Sequence, residues 1–244
     1  MRIAILSDVH ANREALWEVE RTLQDLAVDS ILYLGDAVGY NADPDHCVRR
    51  LAELTDLAVR GNHDKTVANP KDLSWFNEVA RAAILWTRDA LSTQSLEILD
   101  SFPEGPRVVL DRYLLCHGSP MEEDLYIMRR ADVDRSFNYV RDNTEGIKIC
   151  FFGHTHVPLI IEEDGRTLTP PERFSLDPQR RYLINPGSVG QPRDRVPLAS
   201  FGVIDEEAMV YYHYRVPFPI KTAQAKIIAA GLPRMLADRL AAGW

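Results

Sequence analysis

RIAILSDVH, residues 2–10, decides how this chain is read. Its first half, Arg2–Leu6, is a short Ile-rich apolar run bounded by polar residues, the pattern of a buried strand. Its second half, Ser7-Asp8-Val9-His10, sets a carboxylate and an imidazole directly after that strand. The same juxtaposition recurs. Ile31–Leu34 (ILYL) is followed by Gly35-Asp36, and Leu57–Arg60 (LAVR) by Gly61-Asn62-His63-Asp64. Tyr113–Cys116 runs into His117-Gly118, and Ile147–Phe152 into Gly153-His154-Thr155-His156. Each of these strand-like segments delivers Asp, Asn or His at its carboxyl end, and the glycines beside them let the backbone turn sharply.

Helical spacing fills the intervals. Asn12 is placed to cap a helix carrying Ala15, Leu16, Val19, Leu23 and Leu26, and Pro44–Leu54 reads as a second helix with Pro in its first turn. The resulting β-α-β-α-β order predicts parallel strands joined by crossover helices. In such sheets ligands bind outside the carboxyl ends of the strands, where the Asp, Asn and His residues fall. Beyond them the pattern predicts a helix over about 74–91 and a shorter one from Leu96 to Phe102. A hairpin of Arg107–Leu110 and Tyr113–Cys116 turns at Asp111-Arg112, and Val133, Phe137 and Val140 mark another helix. Tyr182–Ile184 is a strand, Phe201–Asp205 with Met209–Tyr214 a second hairpin, and Ala223–Ala242 a helix broken at Gly231-Leu232-Pro233. With no repeat or low-complexity linker, residues 1–244 are expected to form one domain, with C-terminal helices from about 220.

The composition is that of an ordinary folded protein: 45% hydrophobic, 26% charged and a formal charge of −8. An acidic chain without basic runs gives no support for binding a nucleic acid polymer. Three cysteines without a CxxC pair point to a reducing compartment. No apolar stretch approaches the ~20 residues of a membrane span, so cytoplasm is the expected location and no membrane partner is expected.

Five of the seven histidines (His10, His63, His117, His154, His156) lie in the strand-end loops. Imidazole with carboxylate suits Mn, Fe, Zn or Ni rather than calcium, which prefers oxygen alone. Two divalent ions bring +4, of which Asp8 and Asp36 return −2, so the site stays cationic and attracts a phosphate ester. Each residue alone has a plainer reading: Asp8 and His10 as a helix-capping pair, Asp36 and Asn62 as turn formers, His154 and His156 as surface residues. Their recurrence after strand upon strand favours one convergent site. Asp64 reads as structural, His46 and His213 as surface or satisfied structural histidines, and Cys116 and Cys150 as inert buried thiols. Trp75, Trp86 and Phe76 read as packing for the helical middle, with nucleobase stacking the alternative. Arg193 reads equally as a contact to a substrate phosphate or as an exposed salt-bridging residue.

In order along the chain, Asp8-x-His10, Gly35-Asp36, Gly61-Asn62-His63-Asp64, His117-Gly118 and Gly153-His154-Thr155-His156 resemble the motifs of the calcineurin-like metallophosphoesterase superfamily. Gly35–Tyr40 and Asn185–Gly190 further resemble a prokaryotic subgroup described as diadenosine-tetraphosphatase-like or as uncharacterised phosphoesterases. The resemblance implies an α/β fold, a four-layer α/β/β/α sandwich of two mixed sheets. It implies two divalent metal ions, one held by Asp8, His10 and His156 and the other by Asn62, His117 and His154, with Asp36 shared. It implies hydrolysis of a phosphomonoester or phosphodiester by a metal-bridging hydroxide, with His63 stabilising or protonating the leaving oxygen. Enzymes of the superfamily that act on phosphoproteins or symmetrically on diadenosine tetraphosphate carry Asp-Arg-Gly shortly after the shared Asp. Here Gly39-Tyr40-Asn41 stands there, which weakens both assignments. The competing expectations are a nucleotide phosphohydrolase acting on dinucleoside polyphosphates or cyclic nucleotides, and a non-catalytic metal-binding scaffold.

Overall fold

The computed structural model describes residues 1–71 and 73–244. Successive side chains of a strand point to opposite faces, and in β1 (Arg2–Leu6) both faces are apolar and buried. Ile3 and Ile5 join a cluster with Leu115, Ile149, Phe151 and Ile184, while Ala4 and Leu6 join another with Leu16, Val19, Leu51 and Ile84. A strand buried on both faces needs a layer on each side. One side is helical and the other is a second sheet.

The first sheet has the order β2 (Ser30–Tyr33), β1, β10 (Ala199–Asp205), β11 (Val210–Val216), β8 (Arg173–Ser175). β1 and β2 run parallel with Ile5 opposite Leu32, and the remaining pairs are antiparallel. The second has the order β3 (Arg107–Val109), β4 (Tyr113–Leu115), β5 (Ile149–Phe151), β9 (Tyr182–Asn185), β6 (Leu159–Glu162), β7 (Thr167–Leu168). Its centre, β4-β5-β9, is parallel and its flanks antiparallel. Both sheets are therefore mixed.

Helices α1 (Arg13–Leu26), α2 (Pro44–Leu54), α4 (Glu78–Ala90), α5 (Thr93–Ser101), α7 (Ile220–Ala229) and α8 (Arg234–Ala242) pack on the outer face of the first sheet. On the outer face of the second, α6 (Arg130–Asn143) lays Val133, Phe137 and Val140 against Leu114, Cys150 and Leu183. Burial of such side chains stabilises by about 1.5–3 kcal/mol each. The layers are thus α/β/β/α, as the resemblance implies. Among the described residues no helix is long and apolar enough to cross a membrane.

The local signals mostly hold. Asn12 caps α1, its Oδ1 accepting from the Ala15 N–H at 3.1 Å. The two hairpins form, and α7 and α8 are separated at Gly231–Pro233. His46 is exposed, and the His213 Nε2 lies 2.9 Å from the Ser200 hydroxyl. Cys116 and Cys150 are buried free thiols.

Three readings change. Leu57–Arg60 is no full strand but a single parallel bridge, Ala58 to Tyr33, because the Arg60 N–H already donates to Pro103 and the chain then enters α3 (Asn62–Ala68). The helix expected from residue 74 starts at Glu78, where the Asn77 side chain accepts from the Ala80 N–H at 2.9 Å. Trp75 stays outside it, 88% exposed, rather than packing the core. Strands β6 to β8, between residues 159 and 175, have no clear alternation and are unread in the sequence.

Candidate metal centre

The carboxyl ends of β1 and β2 in one sheet face those of β4 and β5 in the other, and the connecting loops are laced together there. The Asp8 N–H donates to Gly35 at 3.0 Å, the His10 N–H to Asp36 at 2.9 Å, and the Gly153 N–H to His117 at 2.7 Å. The loops approach so closely that a Cβ at Gly61 would sit 2.1 Å from Asp36 Oδ1, and one at Gly153 2.0 Å from Ser7 Oγ. Asp8, His10, Asp36, His154 and His156 all take positive φ, between 47° and 64°. This conformation costs non-glycine residues roughly 1–3 kcal/mol and persists where surrounding structure enforces it, characteristically at functional sites.

Asp8, His10 and His156 form one cluster of inward-facing donor atoms. His156 Nε2 lies 3.3 Å from Asp8 Oδ1 and 3.0 Å from His10 Nε2. The Nδ1–H of His10 donates to Val38 O at 2.8 Å, and that of His156 to Gln191 O at 2.6 Å. Those bonds fix the tautomer that leaves each Nε2 with a lone pair, as ligating imidazoles are commonly arranged. Two such lone pairs face each other, and repulsion between them is relieved by a cation. Asp8 Oδ2 is satisfied by the Ser7 hydroxyl at 2.6 Å and the His154 N–H at 3.1 Å, whereas the equally buried Oδ1 has no hydrogen-bond partner.

Asp36, His117 and His154 form a second cluster, and Asp36 lies with His10 and His63 in a third. His117 Nδ1–H donates to Leu34 O at 2.8 Å, presenting Nε2 to Asp36 Oδ2 at 3.3 Å and to Asn62 Oδ1 at 3.0 Å. In His154 the roles reverse: Nε2–H donates to Asp124 O at 3.1 Å, freeing Nδ1 as donor atom. Asp36 is the carboxylate common to both sides, with its Oδ2 also 3.5 Å from His10 Nε2.

Electrostatics describes a place for positive charge. Burial holds the pKa values of His10 and His156 down, His154 to about 3 and His63 to about 4, so these rings are neutral lone-pair donors. Burial also works against the carboxylates, yet Asp8 beside His156 and Asp36 beside His117 both lie well below the usual range, which takes positive charge at those Nε2 atoms, as a proton or a metal cation. Burial disfavours a charged His117 too, but Asp36 lifts it to about 10. A cation supplies the charge demanded there as well as a proton does. The orphaned Asp8 Oδ1, the opposed lone pairs and the mixed N/O donor set fit a divalent transition metal.

Asp64 holds the frame. Its Oδ2 accepts from the N–H groups of Asp36 (2.8 Å) and Gly61 (3.0 Å), and its Oδ1 from those of Ala37 (2.8 Å) and Val38 (3.3 Å). Burial, with Asp36 nearby, raises its pKa to about 7. In Asp64→Asn one oxygen becomes an NH₂ turned toward N–H donors, leaving two of them unpaired. The expected loss of stability is about 2–4 kcal/mol. An unchanged urea midpoint would remove Asp64 from this fastening role.

Every residue assigned from the sequence lies in or beside this cluster. Arg193 is also there, on the wall of a cleft of about 960 Å³ shared with Asp36, Asn62, His63, His154 and His156. Three further neighbours are not assigned to the site by the sequence. Tyr40 bonds His63 Nε2 through its hydroxyl at 3.0 Å, Tyr126 stacks on His154 with ring centroids 3.9 Å apart, and Phe76 sets its ring edge-on to His63 at 5.4 Å. Tyr40 carried a signal as the departure after Asp36, and Phe76 as a packing or base-stacking aromatic, whereas Tyr126 carried none.

A four-layer sandwich with buried carboxylates and imidazoles converging at its strand ends is an α/β protein with a candidate metal site. Comparison narrows the class. The calcineurin-like phosphoesterase superfamily domain matches residues 1–209. The uncharacterized protein MJ0912 of Methanocaldococcus jannaschii is 37% identical over 249 residues, spanning 99% of this chain and 98% of that protein. The crystal structure of a metallophosphoesterase from Sphaerobacter thermophilus is 40% identical, with a TM-score of 0.86 and coverage of 100% of this chain and 99% of that one. The hypothetical protein PH1004 from Pyrococcus horikoshii shares the fold, with a TM-score of 0.80, 18% identity and coverage of 100% and 98%. The chain belongs to the calcineurin-like phosphoesterase superfamily. Family and candidate ligands together support a metal-dependent phosphoesterase.

Proposed function

We propose that this protein hydrolyses a phosphomonoester or phosphodiester with two divalent cations, of Mn, Fe, Zn or Ni. Asp8, His10 and His156 would hold one, Asn62, His117 and His154 the other, and Asp36 would touch both. The observation that carries the reading is Asp36, whose Oδ2 is 3.5 Å from His10 Nε2 on one side and 3.3 Å from His117 Nε2 on the other. Bound divalent cations supply Lewis acidity, activate water and offset the charge of a phosphoryl group. The chain's own groups do the rest. Backbone carbonyls of Leu34, Val38 and Gln191 keep His117, His10 and His156 in their ligating tautomers. Asp36 Oδ1 accepts the His63 N–H at 2.9 Å, tying the first turn of α3 to the centre. His63, on the cleft wall, is kept neutral by burial, and the negative charge of a bound phosphoryl group would favour its protonated form, placing it to donate that proton to the departing oxygen.

A second reading, a nucleotide substrate, has its own observation. Exposed Trp75 and half-buried Phe76 line the same cleft as Tyr126, with Lys65 and Lys71 beside them. Aromatic faces of this kind stack nucleobases.

The test is a phosphate-ester panel that includes p-nitrophenyl phosphate, its bis-ester and nucleotides, assayed on Mn²⁺-loaded protein whose metal content has been measured. Hydrolysis with near two ions per chain is expected. Loaded protein that leaves every ester intact would mark it as a metal-binding scaffold instead.

A further inference from the structure

One cation at the centre has no carboxylate to balance it. Arg193 follows the loop that closes the site, and its backbone N–H donates to His156 O at 3.3 Å. Its guanidinium lies over the Tyr40 ring, 5.7 Å from the centroid, and Nη2 donates to Gln191 Oε1 at 3.0 Å. Nε is sealed from solvent with no acceptor. Among the described residues no carboxylate comes within 4.0 Å of this guanidinium, whereas Arg50 and Arg215 each meet one. A second cation deepens the imbalance: Arg239 Nη1 donates to the same Gln191 Oε1 at 3.2 Å. Two guanidinium groups thus lean on one neutral oxygen at the edge of a cleft.

A guanidinium has five donors and no acceptor. Burying such a fork without an anion is costly, and the usual remedy, an internal carboxylate, is missing here. Tyr40, Tyr126 and Gln191 instead hold the group with uncharged contacts, and Asp8 acts on it only from beyond ion-pair distance, leaving its charge without a direct counter-ion. A phosphoryl group is the anion whose oxygens match that fork two at a time. A terminal phosphoryl carries up to two negative charges and a diester one, so a fixed cation favours the former by simple Coulomb attraction.

We propose that Arg193 is the phosphoryl-binding residue of this cleft and that its unbalanced charge makes the site select a terminal phosphoryl group over a diester. The assignment rests on the phosphoesterase reading above and adds a residue and a substrate class to it. Arg239, which is not on the cleft wall, shares the Gln191 oxygen with Arg193.

Two measurements test it on the wild type, Arg193→Lys and Arg193→Met. In the first, inorganic phosphate is titrated calorimetrically into the Mn²⁺-loaded protein. Loss of a charged hydrogen-bond donor is expected to weaken phosphate binding at least about tenfold in Arg193→Met, with Arg193→Lys between the two. In the second, kcat/KM for p-nitrophenyl phosphate is expected to fall about tenfold relative to its bis-ester in Arg193→Met. Equal phosphate affinity in all three folded proteins, or an unchanged ratio of the two esters, would overturn the proposal while leaving the enzyme reading intact. A wild type that hydrolyses neither ester would instead fail the enzyme reading, and the phosphate titration would still decide the role of Arg193. If Arg193→Met does not fold, Arg193→Lys tests the fork through phosphate affinity and Arg193→Gln tests the charge through the ester ratio, and an unaltered value in either counts against the proposal.

Discussion

Asp36→Asn is expected to lower hydrolysis of any phosphate ester by more than about a hundredfold, since removing even an outer partner of a metal ligand typically costs 10–100-fold. The substitution is nearly isosteric. The retained oxygen can still accept the His63 N–H, now at 2.9 Å from Oδ1, so α3 keeps its anchor. What disappears is the charge, and the replaced Oδ2 turns an NH₂ toward the Nε2 atoms of His10 and His117, 3.5 and 3.3 Å away. An amide N–H cannot ligate a cation, so metal content should fall together with activity. Stability should fall modestly, because the carboxylate that holds His117 protonated is lost; relief of the like-charge contact with Asp64 offsets part of that loss. The informative result is therefore a folded protein with a modestly lowered urea midpoint, little bound Mn²⁺ and little activity. Full metal content with full activity would show that Asp36 is not shared between two ions.

Much of this site was legible because its parts repeat. A polar ligand directly after an apolar run is visible four or five times in one sequence, and strand chemistry dictates that such residues collect at one end of a sheet. Asp8, Asp36, His117 and His154 were found in that way. Legibility failed where a partner contributes through backbone or shape. Val38, Gln191 and Asp124 act through carbonyl oxygens that every residue possesses, so no side-chain pattern marks them. Tyr126 reaches His154 from a loop without regular secondary structure, and nothing local foretells that contact. The fold shows the same division. The β-α-β-α-β start is written in periodicity, yet the second sheet pairs β4, β5, β9 and β6, segments up to 72 residues apart from first to last, and only the motif resemblance pointed to it. Asp64 was read correctly as structural because a turn acid beside a ligand loop is usually an acceptor of backbone N–H groups; that it takes four is a fact of three dimensions.

His63→Ala separates the chemistry from the metal. His63 is the second residue of α3, its Nε2 3.0 Å from the Tyr40 hydroxyl and its ring fixed between Tyr40 and Phe76, with centroids at 4.5 and 5.4 Å. It also belongs to a candidate ligand group with His10 and Asp36, so two roles compete for it. If it serves the leaving group, its loss should leave metal content unchanged and lower turnover about 10²–10⁴-fold, the usual reach of a positioned proton donor. The penalty should depend on what departs. A p-nitrophenolate leaves readily without a proton, whereas an alkoxide needs one, so alkyl phosphates should lose far more than p-nitrophenyl phosphate. A structural role gives a different signature: uniform losses across substrates and a lower unfolding midpoint, since removing the ring opens a cavity beside Phe76 and Tyr40. A ligand role gives a third, in which bound Mn²⁺ falls. Measuring metal content, the urea midpoint and the ratio of alkyl to p-nitrophenyl ester turnover in one variant therefore decides among them, and equal losses for both esters would exclude His63 as the proton donor.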